Sequence, residues 1–227
     1  MADFQTKVQA VTQLTMGTDP APSTAELTEF LKEGVLDVIN RSIAVRSTDA
    51  VNFTAVTAEY TANGQDLSIG KIISVVRENG TNDQWRKCIQ VDPSSQYDVT
   101  NPDSLDYATK EYPAYAVDGD NTINVYPAAD TGGADSFKVY YVSNVPESEG
   151  GSSLAYNSDN IKNFPLGKVH LVVLYASMKS LEAAANNSIT LDEDAELAAL
   201  YTQQAQILKG EYMSHFGVTA QSEAAKK

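Results

Sequence analysis

Apolar positions recur with a helical period at both ends of the chain and with a period of two in between. Near the N-terminus, Phe4, Val8, Val11 and Leu14 mark a short helix. Asp19-Pro20-Ala21-Pro22 interrupts it, because proline removes a backbone donor and restricts its neighbour. Ser23-Thr24-Ala25-Glu26 has the form of a capping box, in which the hydroxyl takes an orphan N–H and the glutamate reaches back. Behind it Leu27, Phe30, Leu31, Gly34, Val35, Val38 and Ile39 form one continuous stripe, with Glu29, Lys32, Glu33 and Asp37 off it. These residues predict a helix over 24–41.

The period then changes. Val51, Phe53 and Ala55 alternate with Asn52 and Thr54, and Ile72 to Val76 is a short β-branched run. Trp85, Ile89 and Val91 share one face of a further strand, with Lys87 between them. Pro113–Val117 and Thr122–Tyr126 bracket Asp118-Gly119-Asp120-Asn121, a hairpin by its turn chemistry. Phe137, Val139 and Tyr141 alternate with Lys138, Tyr140 and Val142. The segment Glu147-Ser148-Glu149-Gly150-Gly151-Ser152-Ser153 reads as a flexible connector.

Helical spacing returns after it. A helix over 165–185 is apolar on two faces, Leu166, Val169, Val173 and Ala176 on one and Leu171, Leu174, Tyr175 and Met178 on the other, so it must be covered on several sides. Asn186-Asn187-Ser188 is expected to end it. Thr190-Leu191-Asp192-Glu193 is expected to cap a last helix with Leu197, Leu200, Tyr201, Gln204, Leu208 and Tyr212 on one stripe. The expected fold class is α+β: a helical bundle of an N-terminal helix plus two C-terminal helices, with an inserted antiparallel β domain of about six strands. Its expected divisions are 1–49, an N-terminal helical part; 50–145, the β domain; and 146–227, the C-terminal helices and a flexible tail.

Composition narrows the chemistry. The 227 residues are 42% hydrophobic, enough for a sizeable core. A formal net charge of −14 excludes a protein that wraps nucleic acid with a basic face. The acidity is heaviest over 51–145. A lone cysteine, Cys88, excludes an internal disulfide and a Cys-rich zinc site. No basic region followed by an apolar stretch opens the chain, so no secretory signal is expected. The most apolar stretch, Val169 to Met178, is half the roughly 20 residues of a membrane span. A protein of the cytoplasm with no membrane contact follows as the expectation.

Candidate reactive groups are few. Placed in the register of an EF-hand loop, Asp118-Gly119-Asp120 puts Ile123 where glycine is required and Ala129 where the bidentate acid belongs, so it reads as a polar turn. Asp192-Glu193-Asp194 with Glu196 suits a helix N-terminus. His170 reads as a core or interface histidine, and His215 has no partner four residues on. Cys88 reads as an inert, half-buried thiol. With no nucleophile, metal or dinucleotide signature, neither an enzyme nor a cofactor is expected. The chain has 12 tyrosines against 6 phenylalanines. Tyr107, Tyr112, Tyr115, Tyr126, Tyr140 and Tyr141 fall in the β part, where they suit sheet packing, a subunit interface or a stacking surface.

The opening Met1–Ala10, the helix Glu26-Leu27-Thr28-Glu29-Phe30-Leu31-Lys32-Glu33-Gly34, and Asn163-Phe164-Pro165 leading into Leu174-Tyr175-Ala176-Ser177-Met178-Lys179-Ser180-Leu181 resemble virion structural proteins of tailed bacteriophages. A helical bundle interrupted by a β domain resembles the head-to-tail adaptor neck proteins of the tail tubular A type. The resemblance implies a twelve-fold ring under the portal protein, with the helical part against the portal and the β part toward tail or nozzle proteins. It also implies location in the virion neck, after assembly in the host cytoplasm. DNA would pass through the centre without specific binding, because an acidic wall offers phosphate no well. Tyr212, Met213, Phe216 and Val218 are then candidates for docking to a partner. An alternative is that the tyrosine-bearing β domain is a surface-binding module for a glycan or receptor, or that the chain is another tail component.

Overall fold

The structure is a computed structural model, and it describes residues 2–68, 70–131, 133–190 and 194–217. The fold is α+β. The chain divides into two compact units, Met1–Phe53 with Val145–Lys227, and Thr54–Asn144.

In the helical unit, α1 (Phe4–Thr12) is capped by the Asp3 carboxylate, which accepts the Thr6 N–H at 2.8 Å. α2 (Thr24–Val45) opens with the expected capping box: the Glu26 N–H donates to the Ser23 hydroxyl, and the Ser23 N–H donates to the Glu26 carboxylate. It runs beyond Arg41 because Ser42 extends the buried stripe one turn past Val38. Gly34 lies on this face, where a Cβ would come within 3.0 Å of the Tyr175 ring.

α4 (Val169–Thr190) is the central helix and packs against α1, α2 and the last helix, α5 (Ala195–Ser214). A 3-10 turn, Leu166–Lys168, precedes it. Two expectations about its end are corrected. Asn186-Asn187-Ser188 does not stop α4: the Asn187 amide donates to the Pro20 carbonyl at 3.1 Å and Ser188 is fully buried, so tertiary contact overrides local preference. Thr190 closes α4 by donating to the Asn186 carbonyl, and Asp194 caps α5 by accepting the Leu197 N–H. The rest of the expected second capping box, Leu191, Asp192 and Glu193, lies outside the described residues. The α5 stripe also turns relative to expectation. Ala198, Ala205, Leu208 and Tyr212 are buried, whereas Leu200 is 62% exposed.

The expected flexible connector is ordered. Bridges join Glu147 to Ser153 and Ser148 to Ile161, Leu154 is fully buried, and Lys162 pairs with Glu147 at 2.7 Å. Its polar composition reflects exposure of the turn and not freedom of the backbone.

The β unit holds two four-stranded sheets. β1 (Thr54–Val56), β8 (Phe137–Ser143), β3 (Gly70–Glu78) and β4 (Trp85–Lys87) lie in that order in one. β2 (Gln65–Asp66), β7 (Thr122–Tyr126), β6 (Ala114–Val117) and β5 (Ile89–Gln90) form the other. The expectation of about six antiparallel strands needs two corrections: among the described residues there are eight, and β5 pairs with β6 in parallel. The continuous strand expected through Trp85 and Val91 is two strands in different sheets. The Cys88 N–H donates to the Val75 carbonyl in the first, and the Ile89 N–H donates to the Pro113 carbonyl beside the second. Alternation persists across the switch while the hydrogen-bond partners change. Val51 and Phe53 belong to a 3-10 turn, Ser47–Phe53, whose short apolar run mimics a strand.

Both sheets contribute to one core, with Val75, Phe137 and Val139 from the first and Tyr115, Ile123 and Val125 from the second. β3 carries a bulge between Ile72 and Ser74 against β8. Gly70 allows β3 to start against β8, since a Cβ there would fall 2.3 Å from the Val142 carbonyl oxygen. The hairpin expected at Asp118–Asn121 forms between β6 and β7, with the Asn121 N–H donating to the Asp118 carbonyl.

Candidate docking surfaces

The C-terminal aromatic residues singled out by sequence lie within the helical unit. Tyr212 is 2% exposed, Phe216 is buried and Met213 is half-buried; Val218 lies outside the described residues. Tyr175, Tyr212 and Phe216 stack edge to face, with centroid separations of 5.8 and 5.3 Å. The Tyr212 hydroxyl donates to the Asp37 carboxylate oxygen that also accepts the Arg41 Nε–H. Burial and that bond push the Tyr212 phenol well above its ordinary value. The hydrogen bond to Asp37 likewise raises Arg41. Together they pin α5 to α2.

His170 is exposed and not in the core, and its ring meets His215 edge-on at 4.9 Å. It directly precedes Leu171, the first buried residue of α4. Cys88 is more buried than expected, and burial pushes its thiol up to about 12. As a thiol at neutral pH it is a core side chain and no nucleophile. In the Asp118 turn, Asp120 accepts the Thr122 N–H and Asp118 accepts the Asn124 amide, so the turn itself uses both carboxylates. Among the described residues, no three His, Cys, Asp or Glu side chains gather as a metal site would require.

What the structure does expose is apolar surface. On the helical unit, Ile189, Leu200 and Ile207 are 56–63% exposed. Ile189, Ala195, Ala198 and Ala199 line a shallow groove of about 450 Å³ between the end of α4 and the start of α5. A helix whose outer face carries such residues is suited to covering by another helix.

On the β unit, a second cleft of about 430 Å³ opens beside β5, the terminal strand of its sheet. Its floor is Val99, Ala108 and Ala114, all nearly inaccessible, and its rim carries Ile89, Leu105 and Tyr112. Leu105 is fully exposed, Tyr112 76% and Ile89 64%. A 3-10 turn, Pro93–Ser95, and a short helix α3 (Gln96–Thr100) form part of its wall. Sequence reading picked out Tyr107 and Tyr112 here but missed Ile89 and Leu105. The available signal was a large apolar residue, Leu105, set alone in the polar stretch Asn101-Pro102-Asp103-Ser104.

Both units expose apolar surface on a strongly acidic chain, and such surface suits docking to other macromolecules. The chain belongs to the SU10 adaptor protein family, a family of phage head-to-tail adaptors, whose model matches residues 1–223. No curated protein matches the chain. Membership makes it a structural component of the virion that meets other head and tail proteins. Among the described residues, no helix is long and apolar enough to cross a membrane.

Proposed function

We propose that this protein forms a closed ring, twelve-fold by analogy with the tail tubular A type, between the portal protein and the tail, and that the genome passes through its centre. The family match across residues 1–223 is the observation that carries the reading. The exposed side of α5 around Leu200 and Ile207 supports contact between neighbouring subunits, since an isolated subunit leaves that apolar area in water. The helical part packs side by side and against the portal, and the β part faces tail or nozzle proteins. The C-terminal segment that begins at Tyr212, Met213 and Phe216 leads toward the portal.

The charge suits passage of DNA. Each copy carries a net −14, and a ring of copies gathers that charge around one axis. Phosphate then meets repulsion and finds no binding well, so the polyanion slides. The ring acts without turnover and without a cofactor: it holds two assemblies together and leaves the chemistry of ejection to others.

Light scattering coupled to size exclusion, with and without purified portal, tests this. A defined multimer on the portal is the expected result. A chain that stays monomeric beside portal and tail proteins alike would overturn it.

A further inference from the structure

We infer that the cleft beside β5 is the socket for a protein segment from a neighbouring virion component, one that presents an apolar anchor flanked by lysine or arginine. This deepens the adaptor reading and rests on it for the source of the segment.

The shape of the cleft argues for a peptide anchor. Its floor is nearly inaccessible, and burying the large apolar side chains on its rim is favourable when an apolar group covers them. Its apolar lining is mainly aliphatic: Ile89, Val91, Val99, Leu105 and Pro113 outnumber the two tyrosines. A sugar site favours flat aromatic platforms, whereas a leucine or phenylalanine side chain matches an aliphatic slot.

Charge fixes the flanks. From Cys88 to Thr109 the chain has four aspartates, Asp92, Asp98, Asp103 and Asp106, and no lysine, arginine or histidine. All four are exposed, and Asp92 and Asp106 line the cleft itself. Of the bases nearest the run, Lys110 pairs with Asp135 and Arg86 pairs with Glu111, while Lys87, which directly precedes it, is exposed on β4 in the other sheet and takes no part in the cleft lining. Among the described residues, no ion pair engages the four aspartates. An apolar slot rimmed by uncompensated carboxylates attracts a basic-flanked segment and repels an acidic one.

The test uses the full chain and fluorescein-labelled peptides with a Leu-Phe-Leu centre, flanked by lysines in one and by glutamates in the other. Anisotropy is expected to show binding of the lysine peptide, weakened by added salt, and no binding of the glutamate peptide. Leu105→Lys should weaken the lysine peptide about tenfold or more. Its fully exposed side chain makes the substitution compatible with folding. Asp103→Lys combined with Asp106→Lys should shift the preference toward the glutamate peptide, which a merely sticky surface would not do.

Equal binding of both peptides overturns the inference, as does binding of neither or binding of an oligosaccharide that Leu105→Lys abolishes. Failure of the socket is distinguishable from failure of the adaptor reading. A wild-type chain that assembles on portal yet ignores both peptides overturns the socket alone. One that binds the lysine peptide but joins no virion protein supports the socket chemistry and removes the adaptor role.

Discussion

The helical unit leaves some of its buried hydroxyls unpaired, although those of Thr12 and Tyr212 are bonded, whereas the β unit bonds its buried charged groups. Inside the helical unit, four serine hydroxyls, those of Ser42, Ser177, Ser180 and Ser188, are buried without a hydrogen-bond partner. The β unit instead buries Arg77 and Glu78, and each is well bonded. Arg77 donates to the carbonyls of Pro127, Glu78 and Ala128 and pairs with Asp135 at 3.1 Å. Glu78 accepts from the Ser136 hydroxyl and from the Ser136 and Asp83 N–H groups. The difference follows from the backbone. A helix satisfies its own N–H and C=O groups, so its core needs only close packing and tolerates a small orphan hydroxyl. The irregular segment after β7 leaves carbonyls off any ladder, and a buried guanidinium supplies the donors.

That contrast sets where each unit breaks. Arg77→Met should have the largest effect, about 3–5 kcal/mol, because three carbonyls lose their donor inside the fold and Asp135 is left with Lys110 alone. The only tryptophan, Trp85, lies in the β unit, so the loss should appear in urea unfolding followed by its fluorescence. Leu181→Ala should cost about 3 kcal/mol through a cavity in α4, read as loss of helical circular dichroism. If either variant moved both signals equally, the two units would not be separable in stability.

Alkaline pH sharpens the comparison on the helical side. The folded Tyr212 phenol titrates above its ordinary value near 10. Its contribution is intact below pH about 10 and is lost as pH rises toward the folded value, because the unfolded chain ionises first. Tyr212→Phe should flatten that loss. Acid acts on the β side. Burial alone would raise Glu78, but its bonds from Ser136 and Asp83 outweigh this and hold it low. Lys110 and Arg77 hold Asp135 low. Their contribution is present above pH about 4 and is lost as pH falls through their depressed values, which should lower the Trp85-detected midpoint. The smallest effect has the opposite sign. Ser177→Ala should stabilise the helical unit by about 0.5–1 kcal/mol, since it removes an orphan hydroxyl and adds a better helix former.

Legibility in the sequence divides along the same line. The stripe from Leu27 to Ile39 and its cap at Ser23 were readable because both are local. The end of α4 was not, since Asn187 is held by Pro20, far away in the chain. In the β unit, the hairpin at Asp118 was readable from turn chemistry alone. The sheet switch at Cys88 was not, because alternation records which side a residue faces and says nothing of its partner strand. The docking surfaces were least legible. Tyr212 and Phe216 looked available near the C-terminus yet are buried by Asp37, Tyr175 and each other. Leu105 looked like a loop residue, and only the buried floor of Val99, Ala108 and Ala114 makes it the rim of a cleft.

Electron cryomicroscopy of the assembled particle, with this protein carrying an internal tag, tests the adaptor role most directly. A ring of copies between portal and tail, coaxial with the genome channel, is the expected density. Tag density confined to the capsid faces or to the tips of tail fibres would contradict it.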